Sequence, residues 1–205
     1  MSKIKIRIDF DDVLNRFSEH FLDYHYKKTG EKLKWNNWDL HLDSKYGLDI
    51  WNHLGDKNFF LNAPMEHNAD KLIDYLDNQS SVFEYMIVSS YYGDDDDVFD
   101  NIYREKSAWL YSYFGDRAMK RLILVNGSKE EFPADIVIDD YYKNLVESKL
   151  EDSLKLFYVR DHNSNISIDK PYLKRVSNHN DILSILKDVI YHDSIESYLE
   201  NEFTL

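Results

Sequence analysis

The sequence predicts an α/β protein: a Rossmann-like parallel sheet flanked by helices, with a small helical cap inserted after the first strand. Three observations carry this. Short β-type runs alternate with helical stretches along the 205 residues, which is the pattern of βαβ units. The later runs are nearly continuously apolar, as strands covered on both faces are. The stretch between the first two runs is far too long for a simple crossover.

The elements follow in order. KIKIRID (Lys3–Asp9) is the first strand candidate. Its isoleucines alternate with Lys3, Lys5 and Arg7, which predicts a strand with one solvent-facing side and fits a central position poorly. Helical spacing follows over Val13–Lys28. The segment 18–80 then carries Trp35, Trp38 and Trp51, three of the four tryptophans, with Phe21, Tyr24, Tyr26, Tyr46, Phe59 and Phe60. It is expected to be the cap, its aromatics forming mainly the cap's own core. The α/β core is expected to comprise residues 1–17 and 81–205. A further helix is expected at Ala69–Asn78, within the cap interval, and the core helices at Val98–Phe114, Tyr141–Lys149 and Asn180–Tyr191. The core strands are expected at Tyr85–Ser89, Arg121–Val125, Ala134–Asp139 and Leu154–Val159. The acids Asp94–Asp97 precede the long helix and suit its N-terminal dipole better than a metal, since four consecutive side chains splay apart. The tail from Asp193 has Ile195, Tyr198, Leu199 and Phe203 at helical spacing and reads as a packed helix.

Composition narrows the function. With 38 acids against 25 bases the formal charge is −13, which disfavours a nucleic-acid polymer or an anionic membrane as partner. Cysteine is absent, so disulfides, thiolate metal sites and a cysteine nucleophile are excluded. The N-terminus lacks the apolar region of a signal peptide and no window is apolar enough to span a bilayer, so a cytoplasmic location is expected.

Four features fall at the carboxyl ends of strand candidates, the edge where open α/β sheets bind ligands. They are Asp9 and Asp11 after the first strand, Ser89 and Ser90 after the second, Lys129 after the third, and Asp139 and Asp140 after the fourth. Each alone is an ordinary loop or capping residue. Jointly they offer carboxylates from two strands for a hard cation, with a hydroxyl and an ammonium for phosphate oxygens. Those are the parts of a phosphomonoester hydrolase.

In these motifs the sequence resembles the haloacid-dehalogenase-like (HAD) phosphohydrolases, and within them the 5'(3')-deoxyribonucleotidases. The family's first motif, DxDxVLxxF, reads DFDDVLNRF here (Asp9 to Phe17). Its K-x-x-W-x-x-x-x-F-G helix reads KSAWLYSYFG (Lys106 to Gly115), and the stretch from its lysine to its acid pair reads KEEFPADIVIDD (Lys129 to Asp140). Asn58-Phe59-Phe60 and His162-Asn163 also match. The likeness runs over roughly residues 3–188. It departs at Asp12, where vertebrate enzymes usually have Gly, at Ser89 for Thr, and at Tyr91 where Pro is common. Asp12 either alters metal binding or caps the following helix.

The resemblance implies roles. Asp9 would be the nucleophile and Asp11 the general acid and base. Mg²⁺ would lie between the Asp9 carboxylate, the Asp11 carbonyl and Asp140, supported by Asp139. Ser89, Ser90 and Lys129 would hold phosphate, and Phe17 would touch the base of a small nucleotide substrate. A phosphatase for sugar phosphates is the alternative within this chemistry. A non-catalytic metal- or partner-binding protein is the alternative outside it. The cap aromatics are also a candidate homodimer surface.

Overall fold

A computed structural model describes residues 2–35, 52–91, 95–192 and 194–203. Trp38, Tyr46, Trp51, Asp94 and Asp193, named above, lie outside the described residues. Six parallel strands form one sheet: β1 (Ile4–Ile8), β2 (Phe83–Tyr91), β3 (Leu122–Asn126), β4 (Ile136–Asp139), β5 (Leu154–Tyr158) and β6 (Leu173–Val176), in the order β3-β2-β1-β4-β5-β6. The chain therefore winds one way from β1 to β3 and the other way from β4 to β6. The reversal lies at β1, whose carboxyl end is flanked by those of β2 and β4.

The expectation that β1 is peripheral is corrected here. It is a central strand, with Ile6, Arg7 and Ile8 buried. Arg7 is only 1% exposed, and a buried guanidinium requires partners. Its Nη1 donates to the carbonyls of Lys129 (2.9 Å) and Phe132 (3.3 Å) and to Glu147 (3.1 Å), and its Nη2 donates to the Asn144 carbonyl (2.9 Å). Arg7 thus organises the loop that carries Lys129. Only Lys5, at the amino-terminal half of the strand, faces solvent.

Helices cover both faces. On one face Ile6, Ile8, Ile87 and Ile138 meet Leu72 and Leu76 of α2 (Ala69–Asn78) and Leu186 and Val189 of α4 (His179–Tyr191). Helix α2 falls within the interval 18–80, yet it packs on the sheet. The opposite face buries Val137 and Phe157 with Leu145 and Leu150, as strand alternation requires. A third cluster gathers Phe17, Phe21, Trp35, Phe59 and Phe60 with Tyr91 and Ile102. It joins α1 (Phe17–Thr29) to α3 (Asp96–Phe114). Asp95 caps α3, accepting from the Asp97 and Val98 amides. The tail forms α5 (Ile195–Phe203), which buries Ile195, Tyr198 and Leu199. Strand β6 was not expected. Its sequence LKRV is polar and follows Pro171, which is how an edge strand reads.

The chain leaves and re-enters the sheet region along one paired track. Arg16 N donates to the Pro64 carbonyl and Glu66 N to the Leu14 carbonyl, both at 2.9 Å, around an antiparallel bridge between Asn15 and Met65.

Candidate active site

The loop after β1 holds both acids of the first motif, and each has its own lysine. The Asp9 Oδ1 accepts from Lys129 Nζ at 2.6 Å and from the Phe10 amide at 2.7 Å. Lys129 also reaches Asp139 Oδ2 at 3.0 Å. Asp139 is further held by the Tyr141 amide (2.9 Å) and the Asn144 side chain (3.1 Å). The Asp140 backbone carbonyl is held by Asn163 (2.8 Å), and His162 Nε2 lies 3.3 Å from Asp140 Oδ2. The His-Asn pair after β5 therefore positions the second acid of the fourth motif.

Asp11 faces a separate set. Its Oδ2 accepts from Lys106 Nζ at 2.5 Å and lies 3.3 Å from Ser89 Oγ, and its Oδ1 accepts from Asn15 at 3.3 Å. Lys106 Nζ also donates to Ser89 Oγ at 2.7 Å. Ser89, Asp11 and Lys106 thus form one hydrogen-bonded group. Ser90 is not drawn into it. Its neighbour in the strand points to the opposite face, and its own buried Oγ meets no partner among the described residues.

The sequence reading assigned no role to Lys106. Helix α3 buries Ile102, Glu105, Lys106, Trp109 and Leu110, so two charges interrupt an otherwise apolar stripe. That interruption was the available signal, since buried charges need partners. Glu105 accepts from the backbone amides of Asn58 and Phe60, fixing the turn that carries Phe59 and Phe60. Trp109 Nε1 donates to the Ala63 carbonyl at 2.7 Å. The Lys106 ammonium also lies over the Phe60 ring (4.3 Å) and the Phe10 ring (4.9 Å).

Phe17 stands in the third cluster, among its aromatics. It stacks on Phe60 with ring centroids 5.9 Å apart and meets Trp35 (5.8 Å) and Phe59 (6.0 Å) edge to face. Asp12 caps α1: its Oδ1 accepts from Ser18 N at 2.9 Å and Ser18 Oγ at 3.0 Å. Its backbone is left-handed, with φ +56°, a conformation that Asp tolerates better than most residues.

Buried carboxylate oxygens of Asp9, Asp139 and Asp140 lie within 4.8 Å of one another. An all-oxygen set of this kind suits a hard divalent cation. The acidities agree with that fit. Burial, reinforced by Asp139, Asp140 and Asp11, pushes the Asp9 carboxyl well above the usual range against the pull of Lys129. Burial, with Asp12 and Asp139, does the same to Asp140. Burial raises Asp12 to about 6, although His162 and Arg160 oppose it. Burial works against the Lys129 ammonium, but Asp139 and Asp9 outweigh it and its pKa is raised.

These shifts fix a pH dependence. Acids whose folded pKa is raised stabilise the fold fully below their unfolded pKa, near 4, and lose that stabilisation as pH rises through the folded value. In EDTA these acids lower the melting temperature as pH rises, while burial lowers the pKa of His20, His162 and His179 and so raises it up to about pH 6.5, which makes the difference between the Mg²⁺ and EDTA curves the measure of the acid site. A divalent cation takes the place of the protons, so the Mg²⁺-induced rise in melting temperature should be small near pH 4 and grow toward neutrality. Calorimetry over that range with Mg²⁺ or EDTA checks it. A Mg²⁺ increment independent of pH would contradict the site.

A family model described as "5' nucleotidase, deoxy (Pyrimidine), cytosolic type C protein" matches residues 2–190. A search of curated proteins finds no match. Among solved structures, a haloacid dehalogenase-like hydrolase from Burkholderia xenovorans aligns with TM-score 0.56 at 15% identity, covering 93% of this chain and 99% of that one. A HAD-hydrolase from Bacillus subtilis, bound to magnesium, aligns with TM-score 0.53 at 12% identity over 91% of this chain and 99% of its own. At these identities the likeness shows a shared fold. Among the described residues no helix is long and apolar enough to cross a membrane.

Proposed function

Since the chain belongs to the family of 5'-nucleotidases, deoxy (pyrimidine), cytosolic type C, and is thereby a hydrolase with a HAD-like fold, we propose that it is a cytoplasmic, Mg²⁺-dependent phosphomonoesterase. Its proposed substrates are (deoxy)ribonucleoside monophosphates, and its intermediate is an aspartyl-phosphate on Asp9. The observation that carries this reading is the division between two acids two residues apart. Asp9 is held by Lys129 beside Asp139 and Asp140, and Asp11 is held by Lys106, Ser89 and Asn15.

In this reading Asp9 and Asp140, with the Asp11 carbonyl and with Asp139 beside them in support, would hold Mg²⁺, which would supply positive charge that offsets the phosphate dianion. Lys129 and Lys106 add two fixed positive charges in a dry setting, where each counts for more than in water. Asp9 attacks phosphorus. The nucleoside oxygen departs with a proton from Asp11, and Asp11 then takes a proton from the water that cleaves the aspartyl-phosphate. Ser89 donates to a phosphate oxygen. The aromatic cluster of Phe17, Trp35 and Phe60 provides an apolar wall for the base.

The test is phosphate release from a panel of nucleoside 5'- and 3'-monophosphates and sugar phosphates, with Mg²⁺ or EDTA. Turnover confined to sugar phosphates would replace the nucleotide assignment, and no turnover at all would end the phosphatase reading. On the best substrate, Lys106→Met is expected to lower kcat/KM by roughly 10²–10³-fold, the usual effect of removing one preorganised donor from a developing anion. A loss under about threefold would place Lys106 outside the phosphate site.

A further inference from the structure

A second group of ligating atoms adjoins the first. Asp12, Asp140 and His162 each offer one ligand atom within 4.8 Å of the others, and all three residues are buried. Asp140 belongs to both groups. The second set differs in chemistry because it includes an imidazole nitrogen. Two carboxylates with one imidazole match Mn²⁺, Fe²⁺ or Zn²⁺ better than Mg²⁺, which favours oxygen and keeps its waters.

An independent observation points to a ligand there. Asp12 is 1% exposed, and its Oδ2 meets no hydrogen-bond donor among the described residues. The carboxylate cannot turn to find one cheaply, because its Oδ1 is bound to both the amide and the hydroxyl of Ser18. A buried carboxylate oxygen without a partner is costly, and a cation against Asp140 and His162 would satisfy it. The nearby Arg160 guanidinium opposes a second positive charge. Its hydrogen bonds, however, run to the Asp12 carbonyl (2.8 Å) and to Glu66, not to the Asp12 carboxylate.

We propose that Asp12, Asp140 and His162 form a second cation site, selective for a first-row transition-metal ion, with Asp140 shared between this ion and the Mg²⁺ site. Asp12 supplies the carboxylate oxygen that completes the set.

The test is equilibrium dialysis of the full chain against Mn²⁺ in a large excess of Mg²⁺. The wild type should retain about one Mn²⁺ per chain that Mg²⁺ does not displace. Asp12→Asn and His162→Gln should each weaken that retention, by roughly 10–100-fold in apparent Kd. Pulsed electron paramagnetic resonance of the wild-type Mn²⁺ form should show nitrogen coupling that His162→Gln lacks. No Mg²⁺-resistant Mn²⁺, or no nitrogen coupling in the wild type, would overturn the proposal without any variant having to fold. Retention unchanged in both variants would also overturn it. This outcome is separate from turnover: a chain that holds the second ion but hydrolyses no phosphomonoester removes the nucleotidase reading alone.

Discussion

Asp9→Asn is expected to lower kcat by about 10⁴-fold or more on every substrate the wild type accepts, the scale seen when a nucleophile is removed. The substitution keeps shape and volume, so the Asn Oδ1 can still accept from Lys129 and from the Phe10 amide, as Asp9 Oδ1 does now. What it lacks is a carboxylate able to attack phosphorus. Stability should not suffer. Burial, with crowding by Asp139, Asp140 and Asp11, disfavours the Asp9 charge by more than Lys129 favours it, so the neutral amide relieves that penalty, and the metal-free variant should melt at or above the wild-type temperature at neutral pH. Rapidly quenched wild type should carry covalent phosphate detectable by mass spectrometry, and the variant should carry none. Full activity in the variant would show that the reaction does not pass through Asp9.

Lys129→Met has the opposite profile, damaging both fold and activity. Lys129 is buried between Asp9 and Asp139, and removing one partner of a buried ion pair typically costs about 3–5 kcal/mol. For a chain of this size that corresponds to a fall in melting temperature of roughly 6–20 °C. The deficit should narrow at low pH, where protonation of the stranded carboxylates removes their need for a counter-charge, and widen as pH rises. Activity measured well below the variant's melting temperature should fall by roughly 10²–10³-fold. A variant as stable as the wild type at pH 8 would mean that the three acids are neutralised by something other than Lys129.

The legible parts of the site were those marked by strand ends. Asp9, Ser89 and Asp139 each terminate an apolar run, so the sheet alone brings them to one edge. Lys129 lies only four residues beyond a strand. Lys106 gives no such cue. It is in the middle of a helix, and only the packing of α3 against the loop after β1 brings its ammonium to Asp11 and Ser89. Arg7 was legible but misread. Alternation of basic and apolar residues normally marks an exposed face, and it cannot reveal a guanidinium whose two terminal nitrogens bond three carbonyls and a glutamate in the interior. Asp12 shows the reverse case. Its capping bond to Ser18 was one of two readings left open, and the free Oδ2 shows why capping does not use up its chemistry.

The paired track at Asn15 and Met65 bears on how such a protein can change over evolutionary time. The two ends of the intervening segment are adjacent and already bonded to each other. Lengthening or exchanging what lies between them alters no strand register, and the entropic cost of closing a longer loop rises by only about 0.6 kcal/mol per doubling. The sheet edge with its acids can therefore stay constant while the interval is rewritten for another leaving group. One constraint travels with any replacement. Asn15 belongs to the bridge and also donates to Asp11, so a graft that displaces the bridge would shift Asp11, the proposed proton donor.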